Sequence, residues 1–405
     1  MMKRSILILS VLSLAWSGTA GAQTPLALGN IGQRLDNEDA RMIGRGGWGM
    51  AVDDSTHPGF KNLASLYAIR KVALNFSVFG DNAVSEDDHG ERTTDQVFTP
   101  DIRVALPVIK GRLAVTAGFV VDRSTQYDTS VDSTWQVWED EINGQVQFLR
   151  DGSMFRVPLG AAFAPWRGLS LSAAVNMQRG TLRESLYDVL RDPASLVGIP
   201  LYQTNLLVQE DTYSGTSATF GALFSPLKGV RFGGAYTPAF DLDVARKLEV
   251  GGVAQRRNTA FTLSMPAEIR AGLAVTLKGR WRMGADYQYQ DFKDFRGNEA
   301  WAADMETEHT LSLGLERHRA HERHGGMGNL PLRLGVRMRT WAYKVGGAPV
   351  DETTFSAGTG FPFHGDLGQL DVALSYSMVG DLEDNGMQSR IVRLTISVTG
   401  LERWW

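Results

Sequence analysis

Over long stretches of this chain, apolar and polar residues alternate one by one. In 265–277, Met265, Ala267, Ile269, Ala271, Leu273, Val275 and Leu277 share one parity, and Glu268, Arg270, Gly272 and Thr276 share the other. Successive side chains of a strand point to opposite faces, so period two predicts a strand with one oily face and one polar or small face. Residues 330–341 repeat the pattern, with Leu330, Leu332, Leu334, Val336 and Met338 opposing Arg333, Arg337 and Arg339. So do 369–378, where Leu370, Val372, Leu374, Tyr376 and Met378 oppose Asp371, Ser375 and Ser377. One template applied throughout predicts strands at 70–80, 98–109, 112–123, 154–164, 168–180, 214–225, 229–239, 265–277, 280–291, 307–318, 330–343, 353–363, 367–379 and 388–399. Many segments of about ten alternating residues are the mark of an outer-membrane barrel, and an even count suits a single-chain one.

The connections carry separate information. "KG" at 110–111, "PWRG" at 165–168, "PLKG" at 226–229, "KG" at 278–279 and "HGDL" at 364–367 are short. The segments 81–97, 124–153, 181–213 and 240–264 are long. Outer-membrane barrels have short periplasmic turns and long external loops, so the alternation predicts both termini on the periplasmic side. The connection after the tenth strand breaks the rule by its length. It carries His318, His321 and His324, which we read as a solvated basic turn and not as a metal site.

The inward parity is rich in small residues: Gly118, Gly160, Gly221, Gly233, Gly272, Gly284, Gly335, Gly358 and Gly360. A wide water channel has no need of them, whereas a wall packed against an internal plug does. Residues 23–69 precede the first strand and supply the plug candidate, with Gly44, Gly46, Gly47 and Gly49 in "GRGGWG". The same letters fit a dinucleotide-binding turn, but that turn needs a preceding buried strand, a following helix and a βαβ unit, and none is predicted here. Glycine also lets backbone approach backbone closely, which is the reading adopted. Trp48, the bulky member of the run, is expected either to wedge the plug or to wall a ligand pocket.

Lys3 and Arg4, the apolar run 6–16 and Ala20-Gly21-Ala22 are expected to form a cleaved signal peptide over 1–22. The chain has no cysteine and a formal charge of −4, which excludes a disulfide framework and gives no sign of a nucleic-acid partner.

Several stretches resemble the FadL/TodX family of outer-membrane transporters for long-chain fatty acids and other hydrophobic molecules. "GRGGWGMAVDD" followed by "FKNLASL" is similar to that family's Gly-rich hatch and its Asn-Pro-Ala-x-Leu element, with Asn62 and Ala64 in place and Leu63 replacing the proline. "FGALFSPLKGVRFGGAYTP", "MPAEIRAGLAVTLKGRWRMGADYQYQDF", "LRLGVRMRTW" and "FSAGTGFPF" resemble its central hairpins and late strands. The resemblance implies an all-β fold: a transmembrane antiparallel barrel of fourteen strands over 70–405, in the bacterial outer membrane, with a hatch over 23–69. It also implies passive uptake, with the substrate docking between the third and fourth external loops.

The loop residues fit such docking. Leu182, Leu186, Val189 and Leu190 stand at helical spacing, and Val197, Ile199, Leu201, Leu206 and Leu207 follow. Phe240, Leu242 and Val244 lie in the next long loop beside Arg246, Lys247, Arg256 and Arg257. An exposed loop holds this much apolar surface when it binds something. Cations next to it suit a carboxylate. Arg103, Arg156, Arg270, Arg282, Arg333, Arg337, Arg339 and Arg393 point inward, as do Glu268, Asp286, Glu316 and Asp371. They are expected to pin the hatch through ion pairs using its acids Asp36, Glu38, Asp39, Asp53 and Asp54, with a path for an anionic head group as the alternative. Trp281, Trp301, Trp341, Trp404 and Trp405 are expected at the bilayer interface or the barrel ends. No hydrolase arrangement is recognisable, so the chain is read as a monomeric non-enzyme without cofactor. Its expected partners are a hydrophobic small molecule, with a long-chain fatty acid first, and the lipids around it. An aromatic-hydrocarbon channel and a non-transport scaffold or secretion-associated barrel stand as alternatives.

Overall fold

The computed structural model describes residues 24–27, 31–35, 38–137, 140–191, 200–251, 253–254, 259–278, 280–293, 295, 305–319, 330–363 and 367–402. They form a closed antiparallel barrel of fourteen strands. In chain order these are β1 Val72–Asp87, β2 Gly90–Ile109, β3 Leu113–Val137, β4 Asp140–Trp166, β5 Leu169–Arg191 and β6 Pro200–Leu227. β7 comprises Val230–Thr237 and Phe240–Val250, and β8 comprises Thr259–Met265 and Glu268–Thr276. β9 Trp281–Asp291, β10 Thr307–Arg317, β11 Leu332–Val345, β12 Ala348–Phe363, β13 Gly368–Val379 and β14 Met387–Glu402 complete the wall. Closure is the β14–β1 ladder, which runs from Met387↔Asp87 to Glu402↔Val72.

All fourteen predicted spans fall on strands, but the strands at the long-loop end run further than the alternation showed. β3 and β4 pair from Leu113↔Phe163 up to Val137↔Asp140, through residues expected to be loop. The stretch with helical spacing at 182–190 is likewise strand, paired with β6 as far as Leu190↔Tyr202. Hydrogen bonds between neighbours fix the backbone there, whichever faces the side chains take.

The extension comes with a change of face. In β5 the outward residues are first Leu171, Val175 and Met177, then Arg179, Thr181 and Arg183, while the inward ones change from Asn176 and Gln178 to Leu182. In β7 and β8 the switch is abrupt. Ile269 is 52% exposed on the outer face, whereas Met265, of the same parity, is buried inside. Proline contributes no N–H to a ladder and marks strand irregularities. Pro266 and Pro238 stand side by side in the gap between Met265↔Phe240 and Glu268↔Thr237, and each resets the phase of its strand. Above them Asp241 and Asp243 face outward, bonded to Ser264 (2.8 Å) and Thr262 (3.3 Å), while Leu242, Val244, Leu263 and Met265 face inward. The barrel is oily outside and polar inside at its waist, and polar outside and oily inside at its long-loop end.

Candidate functional site

The inner segment is built to lie against glycine. α1 (Ala40–Ile43) begins at Asp39, whose side chain accepts from the Met42 N–H, and ends at Gly44. Gly46 and Gly47 then take φ of +73° and +78°, a region that disfavours other residues. This turn carries the backbone across six adjacent strands at the positions where each strand has glycine. Gly44 abuts Gly358, Arg45 and Gly46 abut Gly335, Trp48 abuts Gly314 and Gly284, and Met50 abuts Gly272 and Gly233. Further round the wall, Phe60 meets Gly118, Leu63 meets Gly160 and Asn62 meets Gly221.

Hydrogen bonds fix this seat. Asp286 accepts from the Gly49 and Met50 N–H groups (2.7 and 2.9 Å), and the Ser356 hydroxyl accepts from Gly46 N–H (3.0 Å). Trp48 is fully buried, donates from Nε1 to the Leu273 carbonyl (3.0 Å) and lies under the Arg45 guanidinium (5.2 Å to the ring centre). Asn62 caps the 3-10 turn Leu63–Ala68 through the Ala64 N–H and donates to the carbonyls of Met50 and Ala222.

Charges pin the same segment, largely with the opposite polarity to that expected. Inner-segment cations meet wall carboxylates: Arg45 and Arg41 reach Glu316 (3.0 and 3.4 Å), Lys61 reaches Asp286 (3.4 Å), and Arg34 reaches Glu268 (2.5 Å) and Glu308 (3.2 Å). Asp39 with Arg103 (3.6 Å) runs the expected way, and Asp53 meets a wall arginine outside the expected set, Arg231 (3.0 Å). Asp54 pairs with Arg41 of its own segment (2.6 Å), and Glu38 pairs with Lys61 (2.9 Å). Burial alone would raise the Asp54 carboxyl, but Arg41, His57 and the Thr56 hydrogen bonds outweigh it and hold the group below the usual carboxylate range. Other expected wall arginines pair with carboxylates of the wall itself: Arg333 with Glu316 and Asp371, Arg337 and Arg339 with Glu352, Arg393 with Asp81, Arg156 with Asp122 and Arg270 with Glu268. Asp36 lies outside the described residues.

Above the seat stand two chambers. The upper one is apolar and packed full: Leu242, Val244, Leu263, Met265, Phe292, Phe295, Trp341 and Tyr343 form one cluster with Leu26 and Ile31 of the inner segment, which fill it. Trp341 is therefore buried inside, donating to Glu352 (2.9 Å), and does not sit at the bilayer interface, because the wall has changed face by that height. The lower chamber is mainly basic, a cavity of about 60 Å³ where Arg34, Arg156, Arg270, Arg339 and Lys61 outnumber one carboxylate, Glu38.

Beside the chambers the wall has a seam. β2 and β3 are paired from Ile109↔Leu113 to Ile102↔Phe119. Beyond that point the described ladders of β2 run to β1, and those of β3 run to β4 and to the inner segment, not to each other. Side chains bridge the strands instead, Gln96 to Gln126 (2.8 Å) and Arg92 to the Asp128 carbonyl. From inside, Gln33 and Arg34 pair with Ser124 and Arg123 of β3, and Leu35 N–H donates to Asp122 (3.0 Å). The inner segment thus occupies the edge that β2 leaves.

The expected loop residues are spread along this upper half. Leu242 and Val244 are chamber wall, and Phe240 packs against it. Leu186 is half-buried on β5. Arg246 is held by Asp211 in a two-point pair (both 2.7 Å) and lies over Phe261, while Lys247 is exposed and pairs with Glu210 (3.1 Å). Leu190, Leu201 and Leu206 belong to strands, with side chains outside the description; Val197, Ile199, Arg256, Arg257, His321, His324, Trp301, Trp404 and Trp405 lie outside the described residues. Sequence reasoning missed Arg34, Arg41, Arg45 and Lys61, whose partners lie far away in the chain.

Solved structures share this architecture at low identity. A FadL homologue of Pseudomonas aeruginosa superposes with a TM-score of 0.62 at 14% identity, covering 91% of this chain and 99% of its own. The toluene transporter TbuX of Ralstonia pickettii gives 0.60 at 16%, with the same coverage. The toluene transporter TodX of Pseudomonas putida gives 0.57 at 14%, covering 92% and 99%. These likenesses establish the barrel. No curated protein matches the chain. The BamG family model matches it over its whole length, residues 1–405, and the chain belongs to the BamG family.

Proposed function

We propose that this protein admits hydrophobic molecules through the outer membrane, with long-chain fatty acids as the first class. The observation that carries this reading is the apolar chamber stacked directly on a basic one. An acyl chain entering the upper chamber gains roughly 0.8 kcal/mol for each CH2 removed from water. Its carboxylate then reaches Arg156, Arg270 and Arg339, which line the lower cavity. Leu186, Leu190, Val197, Ile199 and Leu201, the apolar run of the third long loop in the sequence, are assigned the first contacts with the cargo. Phe240, Leu242 and Val244 receive the tail, and Arg246 and Lys247 stay with their carboxylates at the mouth. Trp48 and the Gly44–Gly49 turn close the floor. Leu26, Ile31 and Arg34 fill these spaces now, so entry requires them to yield. Their withdrawal also uncovers the β2–β3 seam, which offers an oily molecule a sideways exit that avoids the charged waist.

The test is binding of oleate and of toluene to the purified protein. Arg156→Gln with Arg270→Gln is expected to weaken oleate about tenfold and leave toluene unchanged. Equal loss of both would remove the carboxylate from the reading and favour the aromatic-hydrocarbon alternative. Failure of the unmodified protein to bind either would remove transport.

One observation favours the scaffold reading as the second choice. The described cavities lined by Gln33 measure only about 10–20 Å³, so at this level the lumen is close to filled. A rigid filled barrel suits the holding of a partner protein. Co-purification of a stoichiometric membrane partner, with no ligand extracted, is the result that would select it.

A further inference from the structure

The largest of the described cavities lies on the other side of the inner segment, at the short-turn end, and neither chamber includes it. It measures about 530 Å³ and opens between the ends of β10, β12 and β14 and the starts of β11 and β13. Its lining brings together Arg41, Arg319, Arg333 and His318 with a single carboxylate, Glu316. Arg333 is fully buried, and its Nη1 and Nε already hold Asp371 (2.7 Å) and Glu316 (3.1 Å). Its Nη2 has no hydrogen-bond partner, and neither has the buried His318 Nε2. A guanidinium N–H kept from water and left unbonded is costly, so a buried one beside an open cavity marks a place for an acceptor. Gly360 forms the wall next to it: a Cβ there would lie 3.4 Å from Arg333 Nη2, 3.0 Å from Gln369 Nε2 and closer still to Asp371 Oδ1, so the glycine makes room for these groups.

We propose that this periplasmic vestibule is an anion-binding site, taking a carboxylate or phosphate group on Arg333 Nη2 with Arg41, Arg319 and His318 around it. A planar guanidinium offers its third nitrogen to such a group without giving up the bonds that Nε and Nη1 make to Glu316, Asp371 and the Thr359 carbonyl. The site does not depend on the transport reading. An anion arriving from the periplasm and the head group of a cargo leaving the lumen present the same chemistry to it. Because Arg333 and Arg41 also hold Glu316, which anchors Arg45, an occupant here shares ligands with the floor of the inner segment.

The experiment titrates the full-length protein in neutral detergent with inorganic phosphate and, separately, with octanoate, following heat. Millimolar or tighter phosphate binding that weakens at least fivefold in Arg333→Lys is expected, since lysine keeps the charge but not the third nitrogen. Arg319→Gln at the mouth, which risks little folding, should weaken it about threefold. Lys293→Gln, at the opposite end, should change nothing. Phosphate binding without octanoate binding assigns the site to periplasmic anions, and binding of both admits a cargo head group. No binding of either probe, or binding indifferent to Arg333→Lys and Arg319→Gln, would overturn the proposal.

Discussion

Gly335 shows how one missing side chain can position a whole segment. An added Cβ would run into the backbone of Arg45 and Gly46, which has no freedom to move, because Gly46 N–H is bonded to Ser356 and Arg45 to Glu316. Gly335→Val is therefore expected to lift the inner segment while the wall ladders survive, at a local cost of about 3 kcal/mol, the upper range for overpacking. Amide exchange at Gly46–Met50 should speed up by about a hundredfold, with β11 unchanged; unchanged exchange at the turn would mean that Gly335 is not its seat. The inward glycines were legible in the sequence because alternation sorted the two faces, and residues without side chains on the inward face require something close to them. The cations that meet the wall were not legible. Arg34, Arg41, Arg45 and Lys61 sit in a segment with no period, and their carboxylates lie more than two hundred residues away. An ion pair of that range leaves no local pattern.

The short strand Gln33–Arg34 gains two backbone partners from β3, too few to hold a two-residue element in place. What keeps it there is Arg34, which crosses the lumen to Glu268 on β8, Glu308 on β10 and Gln290 on β9. Arg34→Gln removes the charge-assisted bonds, worth about 2 kcal/mol here because the side chain is one-fifth exposed. Amides of 31–35 and of 122–125 are then expected to exchange about thirtyfold faster, and Arg34→Lys should recover part of the protection. If both regions kept their protection, the covered seam would owe nothing to this arginine. At the scale of elements the sequence showed where the strands are and hid where they end. Alternation was strongest where lipid lies outside and polar groups lie inside. Above Pro238 and Pro266 the faces exchange, so Leu242 and Leu182 read as loop docking residues although they are inward positions of continuing strands.

For the molecule as a whole, that exchange of faces fixes its height in the membrane. Below the paired prolines the outer face carries Phe220, Tyr236, Ile269 and Tyr287, each 46–52% exposed, a surface that only lipid can cover at low cost. Above them it carries Asp241, Asp243, Thr262 and Ser264, and an outward Asp at bilayer depth is expensive. On the outer-membrane reading, the outer bilayer boundary is expected at Pro238 and Pro266, with the apolar chamber in the wall that rises beyond it. The chain has no cysteine, so single spin labels can be placed without background. A label at Ile269→Cys is expected to be relaxed by oxygen and shielded from a soluble nickel complex, while one at Asp243→Cys, in the fourth register pair above the prolines, should show the reverse. If both labels responded to oxygen, the chamber would lie within the bilayer, and an oily ligand would reach it from lipid and not from water. The label positions therefore decide more than depth: a chamber above the membrane has to be filled from the outer medium, which requires the rim leucines and the displacement of Leu26 and Ile31, whereas a chamber inside it could fill through the seam alone.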